Sequence, residues 1–320
     1  MLFLNEQELQ KLLNMKELIE EVKIAFKAFS RGQTKTPSRY VLPFNKENKY
    51  LVMPSISDEL KIIGTKIVTF APNKSNISKK TITGVVVLND YKTGETLAVL
   101  DGNYLTKVRT GAISGLATKY LARENSRTLC VIGSGDQAEG LIMAVMAVRP
   151  ITMIHISSRT KENAERLAQR MSEKYNVSTQ VYKDADDAIK NSDIILTATD
   201  STKPVFQGGI EPGAHINAVG SFKPDMQEIS SKCFLEFDKI VVESLEAAIK
   251  ETGDLKIPIE EGVISPNSLY GELGDIALGK IKGRENDREI TLFKSVGLAI
   301  VDIIVAQYFY KKAILEVEKK

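Results

Sequence analysis

The sequence predicts an α/β protein: a doubly wound parallel sheet, preceded by an α+β region of one helix and antiparallel strands. Three observations predict it. Residues 129–132 are an apolar run that passes through Gly133-Ser134-Gly135-Asp136-Gln137-Ala138 into a helical pattern at Leu141, Ile142, Val145 and Met146. From there to about residue 243 apolar strands alternate with helices, which implies parallel pairing. Ahead of that stretch lie short strand-like runs separated by polar turns. At 320 residues the chain exceeds the size of a single hydrophobic core, so two domains are expected.

Taken in order, residues 9–29 read as one amphipathic helix, with Leu12, Leu13, Leu18, Ile19, Val22, Phe26 and Phe29 near helical spacing. It stops at Gly32, and Pro37 opens an extended segment. Strands follow at 40–43, 50–54, 62–70, 82–89 and 96–101. Asp90-Tyr91-Lys92-Thr93-Gly94-Glu95 makes a hairpin turn between the last two, with Gly94 free to take positive φ. Thr106 is a candidate N-cap for a helix to about Arg123, and Gly111 and Gly115 in that helix suggest close approach to another helix or to a ligand. The alternating region has strands at 129–132, 151–156, 177–182, 193–198, 214–219 and 239–243, and helices at 161–174, 184–190 and 244–250. A helix-like run covers 269–278. A final helix is expected over 291–317, apolar on nearly all sides and therefore buried.

Composition excludes several classes of function. The chain is 43% apolar and 26% charged with a net charge of +2, so nothing marks a nucleic-acid surface. The N-terminal stretch is broken by Asn5, Glu6 and Glu8 and lacks a signal-peptide core, and no apolar run is long enough for a membrane span, so a cytoplasmic protein is expected. Cys130 and Cys233 have no motif spacing and read as reduced core thiols. His155 and His215 are the sole histidines and neither is near a cysteine, so no metal site is expected.

The glycine-rich turn suits a pyrophosphate. Gly133 allows a tight exit from the strand, Gly135 lets backbone approach phosphate, Ala138 permits close packing of helix on strand, and the helix N-terminus offers free N–H groups. Ser134, Asp136 and Gln137 complete the turn. Where NAD-binding chains place an acid after the second strand, this one has Ser157-Ser158-Arg159-Thr160 and no acid until Glu162. That favours NADP(H) over NAD(H); the less favoured alternative is that Arg159 is simply a solvated loop cation. Thr197-Ala198-Thr199 would let the cofactor lie against a strand end. Three cations stand out in the first region: Arg39, Lys66 and Arg109. Arg109 in the first turn of its helix opposes the helix dipole, which an anionic ligand would offset. Lys66 alternates with Ile67 and could instead face solvent.

Taken together, Pro37 with Arg39, Gly64 with Lys66, Thr93-Gly94, 97–101, Leu105-Thr106 with Arg109-Thr110, 132–138, 158–160, 220–228, and 291–297 with Asp302 resemble the ornithine cyclodeaminase/mu-crystallin family. The resemblance covers nearly the whole chain. It implies a Rossmann-type dinucleotide domain, about 121–294, inserted into an α+β substrate and dimerisation domain of about 1–120 plus 295–320, in a homodimer. It also implies that Arg39, Lys66 and Arg109 bind a substrate carboxylate, and it adds Thr110, Val219 and Gly220 to the expected cofactor contacts. Cyclodeaminases carry an Asp where this chain has Phe222, whereas Pro224-Asp225 resembles the mu-crystallin and ketimine-reductase branch. The expected activity is therefore NAD(P)H-dependent reduction of a small cyclic imine carboxylate, with Lys66, Arg109 and Asp225 as candidate catalytic residues. Ornithine cyclisation and non-catalytic, NADPH-dependent ligand binding stay open as alternatives.

Overall fold

A computed structural model describes residues 1–71 and 81–318; residues 72–80 and 319–320, both within the expected first domain, lie outside it. The chain forms two compact units, Met1–Arg109 with Gly297–Lys320, and Thr110–Val296.

The first unit opens with a strand that was not expected, β1 (Leu2–Leu4), followed by α1 (Glu6–Leu12) and α2 (Met15–Ser30). The single helix expected over 9–29 is thus two, because two asparagines cap two starts. Asn5 forms a capping box with Glu8, and the Asn14 side chain accepts from the N–H groups of Lys16 and Glu17. Strands β2 (Tyr40–Phe44), β3 (Asn48–Ser57), β4 (Ile62–Phe70), β5 (Ile82–Asn89) and β6 (Thr96–Asp101) complete a six-stranded sheet ordered β1-β6-β5-β4-β3-β2. Only the β1 and β6 pair is parallel. The expected hairpin turn before β6 has Gly94 at φ 77.

Next comes α3 (Gly102–Leu121), within which the division between the units falls. It begins before the expected cap: Asp101 Oδ1 accepts from the N–H groups of Asn103 and Tyr104, whereas Thr106 lies inside the helix and its hydroxyl donates to the Gly102 carbonyl. Arg109 is consequently not in the first turn, and the expected dipole conflict does not arise there.

The second unit runs through β7 (Thr128–Ile132), α4 (Asp136–Val148), β8 (Met153–Ser157), α5 (Lys161–Tyr175), β9 (Ser178–Tyr182), α6 (Ala185–Ala188), β10 (Ile194–Thr197) and β11 (His215–Ala218). It continues with β12 (Lys239–Val242), α7 (Leu245–Glu251), α8 (Gly253–Glu260), β13 (Gly271–Glu272), α9 (Leu273–Leu278) and β14 (Thr291–Lys294). All eight strands pair in parallel in the order β13-β12-β14-β11-β10-β7-β8-β9, a doubly wound Rossmann-type sheet whose direction of progression reverses between β7 and β10. The glycines of α3 mark a close helix crossing. A Cβ on Gly111 would lie 2.2 Å from the Gly140 carbonyl oxygen of α4.

The last helix, α10 (Ala299–Val317), belongs to the first unit and packs on α2 and across β3, β4 and β5. The helix expected over 291–317 is therefore a strand, a glycine turn and a shorter helix. Residues 291–294, Thr-Leu-Phe-Lys, are all buried and pair with β11 and β12; so short a run shows no alternation, and periodicity cannot separate it from the start of a buried helix. Gly297, at φ 92, then breaks the path.

Candidate active site and dinucleotide turn

In the first unit, β4 alternates so that Ile62, Gly64 and Lys66 face inward while Ile63, Thr65 and Ile67 are only partly covered. Lys66 is thus 3% exposed and not a solvent-facing strand residue. Gly64 makes this arrangement possible: Ile303 of α10 lies where a Gly64 side chain would stand, with Cδ1 3.0 Å from an added Cβ. The neighbouring Asp302 then meets Lys66, with Nζ to Oδ1 at 2.9 Å.

Arg109 Nε lies 3.2 Å from the same oxygen, an ion pair whose angle falls short of a hydrogen bond. Asp302 Oδ2 is buried and has no hydrogen-bond partner among the described residues. Gly297 joins the arginines: its carbonyl accepts from Arg39 at 3.4 Å, and its Cα side leaves no room beside the Arg109 guanidinium. The three expected substrate residues are therefore brought together, Lys66 and Arg109 on Asp302 and both arginines beside Gly297. Burial pushes the Lys66 ammonium down to about 8, with Asp302 opposing the fall and Arg109 and Arg39 adding to it.

Asp302 is the residue that sequence reading left without a role. Its signal was present, a lone acid inside the apolar run of the final helix, since a fully buried carboxylate requires a partner. Asp225, by contrast, is exposed beside Pro224 in the second unit. Phe222 is half-buried there, with the Lys223 ammonium 5.4 Å from its ring centroid.

In the second unit, β7 ends at Gly133, whose φ is 109 and whose missing Cβ would meet the Ala198 carbonyl oxygen at 2.5 Å. The turn is thereby pressed against the end of β10, at the reversal point of the sheet. Gly135 caps α4, and an added Cβ there would meet nothing within 4 Å. Open space over a glycine at a helix N-terminus is what a pyrophosphate requires, so the turn fits a dinucleotide. Ser134 and Ser158 share a hydrogen bond of 2.7 Å, Asp136 is exposed in the first turn, Ala138 is buried, and Gln137 Oε1 is buried without a partner among the described residues. Thr110, in α3, is also buried. Arg159 is 88% exposed after β8 and 4.0 Å from the exposed Asp200; Thr160 caps α5.

Glu228 braces the neighbouring strand ends, where Thr197, Ala198, Thr199, Val219 and Gly220 lie. It accepts from the Thr197 hydroxyl, from the Thr199 N–H and hydroxyl, and from the N–H groups of Gly220 and Ser221, at 2.7–3.2 Å. Its carboxyl is pushed up by burial, and the Lys294–Asp254 ion pair, 2.8 Å long and fully buried, stands behind it. Sequence matching reached Glu228 as the end of a segment, without this role.

Among the described residues no group of three His, Cys, Asp or Glu could hold a metal, and no helix is long and apolar enough to cross a membrane.

A cationic cluster around one buried acid and a phosphate-accepting turn on a doubly wound sheet define the class: a dinucleotide-dependent protein acting on a small anion. The profile of the ornithine cyclodeaminase/mu-crystallin family matches residues 1–316, and the chain belongs to that family. A Δ1-pyrroline-2-carboxylate reductase of Bacillus cereus is 51% identical over 315 residues, 98% of this chain and 97% of that protein. The structure of the Thermococcus litoralis Δ1-pyrroline-2-carboxylate reductase in complex with NADH and L-proline superposes with a TM-score of 0.94 at 40% identity, covering 99% of this chain and 98% of that one. An archaeal alanine dehydrogenase dimer with bound NAD gives a TM-score of 0.91 at 33% identity over 98% and 96% of the two chains.

Proposed function

We propose that this protein is an NAD(P)H-dependent reductase of a small cyclic imine carboxylate, converting Δ1-pyrroline-2-carboxylate or Δ1-piperideine-2-carboxylate to L-proline or L-pipecolate. One observation carries the reading: Lys66 and Arg109 meet the single acid Asp302 while Arg39 bonds the adjacent Gly297 carbonyl, so three cations gather near one carboxylate, with surplus positive charge for a second. The reductases similar to this chain support it.

Residues of about 1–120 and 295–320 form the substrate domain in this reading, and about 121–294 the cofactor domain. The glycine turn of Gly133, Ser134, Gly135, Asp136, Gln137 and Ala138 holds the cofactor pyrophosphate, with Thr110, Thr197, Ala198, Thr199, Val219 and Gly220 as further contacts. Ser158, Arg159 and Thr160 hold a 2′-phosphate, so NADP(H) is preferred and NAD(H) is also accepted. When bound, the cofactor supplies the hydride that adds to the imine carbon.

The guanidinium groups of Arg39 and Arg109 grip the substrate carboxylate, since a planar fork matches its two oxygens. Lys66 gives a proton to the ring nitrogen, so that the C=N bond becomes CH–NH, and regains one from solvent. A donor poised near neutral pH suits that task. Asp225 is exposed and is given no part in proton transfer. Phe222 can neither accept a proton nor orient an amine, which disfavours ornithine cyclisation. A paired assay tests the reading: NADPH consumption with the two cyclic imines beside ammonia release from L-ornithine. Imine reduction without ammonia is expected; ammonia without imine reduction overturns it, and cofactor binding with no turnover points to a ligand-binding protein.

A further inference from the structure

We propose that Asp302 is the positioning residue of the reaction: it anchors Lys66 and holds it in the charged, proton-donating form beside the two substrate-binding arginines. This rests on the reading of Lys66 as the proton donor.

The geometry is asymmetric in a way that points to Asp302. Lys66 comes from the middle of a sheet strand, where its cross-strand neighbours are Met53 of β3 and Val86 of β5, both apolar and buried. Neither can compensate its charge. The charged groups that face Lys66 are Arg109 on α3, Arg39 ahead of β2, and Asp302 on α10, so two like charges are opposed by one carboxylate. That carboxylate directs one oxygen, Oδ1, to both Lys66 and Arg109 and leaves Oδ2 without a partner among the described residues.

A buried carboxylate oxygen without a partner is costly, and apolar packing around α10 would be better served by a leucine at 302. The position is explained by what the acid does to its neighbours. A buried lysine that loses its counter-ion neutralises rather than remain charged among arginines. Burial lowers the Lys66 ammonium toward about 8 and Asp302 opposes that fall, which favours the charged form at neutral pH. Asp302 therefore acts through Lys66 and need not touch substrate.

The test is Asp302→Asn, which keeps an oxygen for Lys66 and removes the charge. Lysine labelled with 13C at Cε reads the titration of Lys66 directly, its resonance assigned by loss in Lys66→Met. Imine-dependent NADPH oxidation is followed across pH in parallel, with kcat and KM separated. In the wild type the rate should fall as pH rises through about 8. In Asp302→Asn the Lys66 midpoint and the alkaline limb of kcat should both move down by about one pH unit or more, with activity partly recovered at lower pH. A purely structural role would scale the profile without moving it.

An unmoved Lys66 midpoint overturns the proposal. So does a midpoint that moves while the limb of kcat stays in place, because Lys66 would then not be the donor that Asp302 serves. Absence of imine turnover in the wild type instead strikes the proposed activity, and the resonance titration still reports on Asp302. Should the amide variant fail to fold, Asp302→Ser, which leaves space for water, is measured in the same way.

Discussion

Arg159 and Lys66 are both cations, yet burial divides what they can do. Lys66 is enclosed, so its neighbours set its charge; Arg159 stands 88% exposed, and its 4.0 Å approach to Asp200 is a surface pair that water and salt screen. An exposed guanidinium with Ser158 and Thr160 beside it is available to a doubly charged phosphate, for which its planar donors are suited. Arg159→Ala should weaken NADPH binding by about tenfold or more and leave NADH binding within about twofold, given that charged hydrogen bonds contribute about 1.5–3 kcal/mol. Dissociation constants for both cofactors decide this; equal affinities in the wild type would remove the preference. Asp200 provides the contrast. It supplies an acid close to Arg159 that spacing along the chain did not place there.

At the scale of elements, the site depends on how closely α10 approaches β4. Gly64 is a point of close approach, with Ile303 filling the volume its side chain would take and the Val87 carbonyl oxygen 2.5 Å from an added Cβ. The contact with backbone cannot be relieved by a rotamer change. Gly64→Ala should therefore destabilise the protein by about 1–3 kcal/mol through overpacking. Because the shifted helix carries Asp302, imine turnover should fall more than the folded fraction does. Denaturant titration with parallel kinetics checks both parts, and wild-type turnover per folded molecule would count against the coupling. In the second unit, Gly111 and Gly140 let α3 and α4 touch backbone to backbone, which accounts for small residues in α3 without invoking the cofactor.

For the molecule as a whole, β2 is the feature that a single chain leaves exposed. It is the last strand of the six-stranded sheet, and Tyr40, Val41, Leu42 and Phe44 along it are 57%, 43%, 58% and 45% exposed. An apolar edge strand with no covering element among the described residues invites pairing with another chain. The archaeal alanine dehydrogenase of similar structure is a dimer. A homodimer that covers β2 is the expected assembly, so the wild type should sediment as a dimer at micromolar concentration and Leu42→Lys should shift it toward monomer. A monomeric wild type would count against it.

What the sequence by itself determined were the features written in local order. The strand-turn-helix of residues 128–148, the parallel alternation after it, the antiparallel strands before it and the three cations are all legible, because glycine placement, period and charge act within a few residues of one another. Two asparagine caps were legible too, but Asn5 lies ahead of the helix expected from residue 9, and Asn14 was outweighed by the apolar period running through it. Tertiary structure decided the rest. Residues 291–294 became a strand because β11 and β12 pair with both their edges, a condition set by segments about 50 to 80 positions away in the chain. Lys66 became an inward cation because α10, some 236 residues later, brings Asp302 to it. Sequence distance carries no information about which buried charges meet. The energy of pairing them exists only once the fold has removed the water between them.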